Sequence, residues 1–250
     1  MVSLIQKTKP YDKLAVIYNR LMDHVNYPEW CLYIQSFFSL ADIETTTILD
    51  ISCGTGNLLK YLKPNTYRIY GCDYSPSMVY EARRINKFPL FISDGRQIAA
   101  KSNTFHVVLF LYDSLNYLLD HASIKKLFRE VRRVLITGGL FIFDIVTDKQ
   151  CKNYYRDFYE NEYWGNCGYN RHSYYRPELT LQFNEFHINL DGAQYRELHR
   201  QRIYSVTELA ELVKTSDLLL LKTTMNFSVS NKKENSDRIH FICKKNGCKR

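Results

Sequence analysis

The stretch that most restricts what this chain can become is Asp50-Ile-Ser-Cys-Gly-Thr-Gly56, which closes a short apolar run. Two glycines one residue apart, between a strand and a helical segment, let bare backbone approach a ligand held at the strand's carboxyl end. A dinucleotide fingerprint would add a third glycine where this chain has Leu59. It would also avoid a carboxylate beside the loop, because Asp50 repels a pyrophosphate and suits a cation. The loop therefore predicts a nucleotide-like ligand that carries positive charge.

Two more acids stand at the ends of the next two strands. Asp73, in Tyr70-Gly-Cys-Asp-Tyr-Ser-Pro76, is placed to accept both ribose hydroxyls, and Asp94, in Ile92-Ser-Asp-Gly-Arg96, to accept an adenine amino group. Each acid alone reads as well as a helix cap or a turn residue. Three at successive strand ends make one pattern.

Around these motifs short apolar runs alternate with helical segments, the signature of a parallel α/β sheet. The expected strands are 47–51, 68–72, 90–92, 107–111 and 140–145, with helices over 57–62, 76–85 and 123–135 between them. Tyr11, Leu14, Tyr18, Leu21 and Val25 recur at helical spacing, so an amphipathic helix opens the chain, and a second covers 30–40. After Asp148 the texture becomes tyrosine-rich. Alternation over 179–190 slips phase at Glu185, which predicts a bulged strand, followed by an Asp191-Gly192 hairpin and a return strand to about Tyr204. Ser205-Val-Thr-Glu208 is a capping box opening a helix, and strands over 218–225 and 239–243 end the pattern, with a polar loop between them.

With these motifs in view, the chain resembles the class I S-adenosylmethionine-dependent methyltransferases. Residues 48–57 are similar to their first motif, 70–78 to the second and 93–96 to the third, and 109–117 to the segment bordering the cofactor's methyl end. The resemblance implies S-adenosyl-L-methionine as cofactor, held by Tyr11, Asp50, Ser52, Gly54, Gly56, Asp73, Tyr74, Met78, Asp94, Gly95 and Tyr112. Ser52 is a departure, since the family usually has glycine there. The implied fold is an α/β, Rossmann-like, seven-stranded and mostly parallel sheet with flanking helices. An N-terminal helical lid would span 1–45, the core 46–147 and 205–245, and a small antiparallel β insertion 148–204. The opening segment, 11–30, also resembles a bacterial subgroup that methylates glycine and amino sugars.

That subgroup implies a small-molecule acceptor, with an amine nitrogen as nucleophile. Candidates to orient it or take its proton are Tyr18, His24, Asp113 and Asn116, with His121 a further histidine beyond the fourth strand. The tyrosines between 154 and 175 suit cation-π contact with an amine, or simply the packing of a cap.

A net charge of +8 raises RNA, DNA or protein as alternative acceptors, yet the basic residues are dispersed apart from Lys244, Lys245, Lys249 and Arg250. Base amino-methyltransferases generally carry an Asn/Asp-Pro-Pro-aromatic tetrapeptide where this chain has Tyr112-Asp-Ser-Leu115. Nucleic acid is therefore disfavoured, and a non-catalytic cofactor-binding module and an NAD-dependent oxidoreductase are the further alternatives. The seven cysteines are scattered, without the paired spacing of a zinc site, and no metal is expected. No apolar run approaches the roughly 20 residues that span a bilayer. The expectation is a cytoplasmic monomer or homodimer without a membrane partner.

Overall fold

The computed structural model describes residues 5–41, 43–62, 66–225, 228–231 and 237–247. Lys249 and Arg250 of the basic tail, and most of the polar loop before the last strand, lie outside them.

In chain order the strands are β1 (Gln6–Thr8), β2 (Thr47–Asp50), β3 (Arg68–Asp73), β4 (Leu90–Ile92), β5 (Phe105–Phe110), β6 (Leu135–Val146), β7 (Asp157–Trp164), β8 (Cys167–Arg176), β9 (Leu181–Leu190), β10 (Ala193–Arg202), β11 (Leu218–Met225), β12 (Ser228–Asn231) and β13 (Arg238–Lys245). The helices are α1 (Leu14–Leu21), α2 (Tyr27–Gln35), α3 (Pro76–Ile85), α4 (His121–Val134), α5 (Asp148–Tyr154) and α6 (Val206–Lys214).

The larger sheet runs β12-β11-β13-β6-β5-β2-β3-β4. The pairs from β6 to β4 are parallel and those involving β11, β12 and β13 antiparallel. It holds the seven expected strands and an eighth, β12, in what reads from sequence as loop. Apolar faces explain the layering. Ile124, Leu127, Phe128 and Val131 of α4 pack with Leu209 and Leu212 of α6 on one side of the sheet, and Trp30, Ile34 and Phe38 on the other. Ser75 and Asp120 cap α3 and α4 through their side chains, and Ser205 with Glu208 forms the expected capping box of α6.

The chain runs outward from β2 through β3 to β4, then returns to β5 on the other side of β2. The carboxyl ends of β2 and β5 are thus the switch point of the sheet, where open α/β folds leave a crevice.

A second sheet, β1-β10-β9-β8-β7, stands on this edge. Its continuous register corrects the expected bulge at Glu185: β9 pairs without slip from Leu181 to Leu190 against both neighbours. The inward face of β9 is Gln182, Asn184, Phe186 and Ile188, all buried. Its polar half mimics an outward face, which is why the hydrophobic alternation seems to change phase. Three helices are shorter than expected. The first covers only Leu14–Leu21, because Tyr11 is left-handed at φ 61° and the chain turns at Met22. The second ends at Gln35, with a separate 3-10 turn at Phe38–Leu40. Residues 57–62 hold only the 3-10 turn Leu59–Tyr61.

Candidate active site

The glycine loop adopts the backbone its sequence requires. Gly54 and Gly56 have φ of 53° and 79°, and a side chain at Gly56 would come within 2.7 Å of Asn86 Nδ2. Gly54 donates its N–H to Asp73 Oδ2 at 2.9 Å, and Ser75 donates to Asp73 Oδ1 at 2.9 Å. Ser52, the departure from the family motif, bridges the switch point: its Oγ accepts from the Leu111 N–H at 3.2 Å, and its own N–H donates to Asp50 Oδ1 at 2.9 Å. The serine thereby ties the end of β2 to the end of β5.

Asp50 is 3% exposed, and burial pushes its carboxyl up to about 7 against the opposing pull of the Ser52 N–H. Burial likewise raises Asp73, to about 6. All the described hydrogen bonds to Asp50 end on Oδ1. A buried carboxylate with an oxygen to spare fits a cation, and Tyr18, Trp30 and Tyr112 line the same small pocket with aromatic groups. This donor set suits the sulfonium and ammonium groups of S-adenosylmethionine.

Asp94 is differently engaged. Both its oxygens meet the Arg96 guanidinium, at 2.9 Å from Nε and 2.7 Å from Nη2, and that pairing holds its carboxyl below the usual range. Met78 is buried in α3, Tyr74 is exposed, and Gly95 packs so closely under Leu127 that a side chain there would meet it at 3.0 Å.

Beyond the loop lies a cavity of about 630 Å3 between the sheet edge and the second sheet. Tyr18, Trp30 and Tyr112 border both spaces, so the two adjoin. Tyr112 and Asp113, at the end of β5, are consecutive left-handed residues with φ of 60° and 54°. Such strain in non-glycine residues collects at functional sites. Asp113 is held by Arg238 at 2.7 Å, and Arg238 also pairs with Asp144 while lying over the rings of Trp30 and Tyr112.

Of the residues expected to handle the acceptor, Tyr18, Asp113 and His24 border this cavity, His24 as an exposed rim residue. Asn116 does not. It is fully buried, with its Nδ2 donating to the Arg202 carbonyl at 2.7 Å and its Oδ1 accepting from the Val146 N–H at 3.2 Å, so both ends fasten backbone. His121 pairs with Glu208 away from the cavity. Tyr11, expected at the cofactor, lines the cavity with its hydroxyl 2.7 Å from that of Tyr117.

Sequence reasoning missed most of the polar lining. In register across the second sheet stand Ser173, Asn184 and His199, then Tyr175, Gln182 and Gln201. Glu197 and His199 are 0% and 1% exposed. The available signal was Glu197, His199 and Gln201 at every second position of one strand, a polar stripe on the face that the hairpin register turns inward.

The N-terminal segment is fastened over both spaces. Asn19 Oδ1 accepts from Thr55 Oγ1 at 2.6 Å and from Asn57 Nδ2 at 2.8 Å, and Ser75 Oγ donates to the Tyr11 carbonyl at 2.9 Å.

Comparison with known proteins agrees with this geometry. Residues 48–139 match the family described as "Methyltransferase domain". The chain is 27% identical over 243 residues to the putative methyltransferase YqeM of Bacillus subtilis, covering 94% of this chain and 97% of that protein. A putative methyltransferase of Geobacillus is 25% identical over 247 residues, covering 94% of this chain and 99% of that one. Among solved structures, an S-adenosylmethionine-dependent methyltransferase from Clostridium acetobutylicum superposes with a TM-score of 0.80 at 26% identity, covering 95% of this chain and 99% of its own. The S-adenosylmethionine-bound CalS10, an amino pentose methyltransferase from Micromonospora echinaspora, shares the fold with a TM-score of 0.72 at 14% identity, covering 92% of this chain and 96% of its own. The glycine loop, the buried acid beside it and these likenesses together identify the chain as a class I S-adenosylmethionine-dependent methyltransferase.

Proposed function

We propose that this methyltransferase acts on a small molecule and that the atom methylated is an amine nitrogen. The observation that carries the reading is the cavity of about 630 Å3, which adjoins the pocket beside the glycine loop at Tyr18, Trp30 and Tyr112 and is roofed by the second sheet. Its size falls within the roughly 300–1,000 Å3 of small-ligand sites. S-adenosylmethionine supplies a methyl group on a positively charged sulfur. The chain's own contribution is to align and desolvate the acceptor, which is where much of the acceleration of an in-line displacement arises.

The lining favours a polar acceptor with a basic group. Asp113, Glu160 and Asp237 supply three carboxylates against the guanidinium groups of Arg171 and Arg238, and Gln150, Gln182, Asn184 and Gln201 supply amides. Arg238 is engaged by Asp113, and Arg171 by Glu160 and Asn184, so neither cation dominates. Tyr155 and Phe158 add aromatic surface. The amino pentose methyltransferase and a sugar N-methyltransferase among the fold neighbours lend support of the same kind. No helix among the described residues is long and apolar enough to cross a membrane, and the six described cysteines are free thiols, consistent with work in the cytoplasm.

The test is release of S-adenosylhomocysteine from purified protein offered amino sugars, amino acids and biogenic amines in parallel with tRNA and a protein extract. Turnover confined to small amines is the expected result. Turnover confined to tRNA or protein rejects the reading.

A further inference from the structure

Four residues form one hydrogen-bonded line from the buried side of the second sheet into the cavity. His199 Nε2 lies 3.1 Å from Glu197 Oε2, and His199 Nδ1 lies 2.9 Å from Tyr117 Oη. Tyr117 Oη is 2.7 Å from Tyr11 Oη. Glu197 also receives three backbone N–H groups, from Tyr11 at 2.7 Å, Lys13 at 2.6 Å and Leu14 at 3.1 Å.

These donors give the line a direction. Burial works to raise the Glu197 carboxyl, but His199 and the N–H groups of Lys13 and Leu14 outweigh it and hold the group below the usual range. An ionised carboxylate only accepts, so the hydrogen of the His199 ring sits on Nε2. Burial keeps the ring below the ordinary histidine value, hence neutral, which leaves Nδ1 as an acceptor. Tyr117 must then donate to Nδ1, and its oxygen accepts from Tyr11. Tyr11 spends its only hydrogen on Tyr117 and turns a lone pair to the cavity it lines.

We propose that Glu197, His199 and Tyr117 are positioning residues that fix Tyr11 Oη as a hydrogen-bond acceptor for the methyl-accepting group, which is therefore a nucleophile carrying hydrogen, an amine N–H or a hydroxyl O–H. This rests on the small-molecule reading above and adds the group that holds the acceptor, which on that reading is an amine. An amine N–H donating to Tyr11 Oη leaves the nitrogen lone pair free to face the methyl group. As the new N–C bond forms, the S–C bond breaks and its electron pair stays on sulfur. The proton shed by the methylated nitrogen passes to Tyr11, that of Tyr11 to Tyr117, and that of Tyr117 to His199 Nδ1. The imidazolium so formed is balanced by Glu197 and returns its proton to water after product leaves, the same division of labour as in a nucleophile-His-carboxylate triad.

The charges facing His199 are Glu197 on its own strand and Arg171 on β8, and those facing the two phenols include Asp113, with Asp73 also acting on Tyr11. Asn184, opposite His199 on β9, and Phe186, whose ring lies 5.2 Å away, are uncharged.

Two measurements test the proposal. Nitrogen-15 NMR of the histidine-labelled full chain reads the tautomer directly: at neutral pH His199 is expected to be protonated on Nε2 and bare on Nδ1. The opposite tautomer, or an imidazolium, overturns the proposal. With an acceptor drawn from the amine screen, Tyr11→Phe and His199→Gln are each expected to lower kcat about 100-fold and to remove the solvent isotope effect. KM should stay within about threefold. A loss confined to KM, or a lower kcat with the isotope effect intact, overturns it. Glu197→Gln, which keeps the volume, is expected to scramble the tautomer, and an unchanged spectrum counts against the relay. No turnover with any amine or alcohol refutes the substrate reading, while the tautomer of His199 is scored without it, so the two failures are distinguishable.

Discussion

Gly54 donates its backbone N–H to Asp73 Oδ2 at 2.9 Å, joining the glycine loop to the end of the neighbouring strand. The acid fixes the loop that a ligand must approach, and on the expectation that it binds the cofactor its remaining lone pairs would accept from that ligand. Asp73→Ala removes both. Losing hydrogen bonds to a charged acceptor costs about 1.5–3 kcal/mol. The dissociation constant for S-adenosylmethionine, measured by calorimetry, is therefore expected to rise about 10- to 100-fold. An unchanged constant rejects the role.

Cofactor binding should strengthen as pH rises. Burial raises the folded-state carboxyls of Asp50 and Asp73 to about 7 and about 6. An acid raised in this way contributes stability that is fully present below its unfolded pKa, near 4, and lost as pH rises through the folded value. A cation in the pocket reverses the preference, because it binds the carboxylate. Titration between about pH 5 and pH 8 should show tighter binding of S-adenosylmethionine with rising pH, steepest below about 6 and levelling off above about 7. Asp50→Asn should flatten the upper part of the profile, and a flat profile in the wild-type protein would falsify the assignment.

Asn19 couples the opening helix to the loop through Thr55 and Asn57. Thr55 is 1% exposed, so Asn19→Ala leaves its hydroxyl buried without the acceptor it now has. The expected cost is about 1–3 kcal/mol. In a chain of this size each kcal/mol lowers the melting temperature by about 2–4 °C. Faster amide exchange over residues 14–21 should accompany it, since α1 loses its tie to the loop. Unaltered exchange there would show that the helix is held by packing alone.

The parts legible in the sequence are those whose partners are near in the chain. Asp50, Gly54, Gly56 and Asp73 sit at strand ends whose spacing is local, and one parallel sheet aligns them. The cavity under the second sheet was illegible for the opposite reason. Gln182, Asn184, His199 and Gln201 meet only through the register of three strands, and a polar inward face breaks the rule that apolar residues mark the inside. Asn116 was misjudged because position after β5 says nothing of direction: its amide turns toward backbone at Arg202 and Val146. Arg238 lies 125 residues beyond Asp113 in the chain, and no local pattern joins them.

Arg238 is the charge on which two buried acids depend. Asp144 is fully buried, Asp113 lies at the strained end of β5, and both pair with this guanidinium. Burial already pushes both carboxyls up, with Arg238 opposing. Arg238→Met keeps a chain of similar length against Trp30 and Tyr112 but removes the opposition. Breaking a buried pair by deleting one partner costs about 3–5 kcal/mol. The cost should depend on pH, because the stranded carboxyls can escape by taking up protons. With their folded pKa raised further, the variant is most stable relative to wild type in mild acid and falls behind as pH rises and both groups are forced to ionise. Urea unfolding of wild type and variant at about pH 5 and about pH 8 checks this: the gap is expected to widen at the higher pH. A gap independent of pH would assign the loss to packing against the two rings, and the charge on Arg238 would then have no part in holding the end of β5.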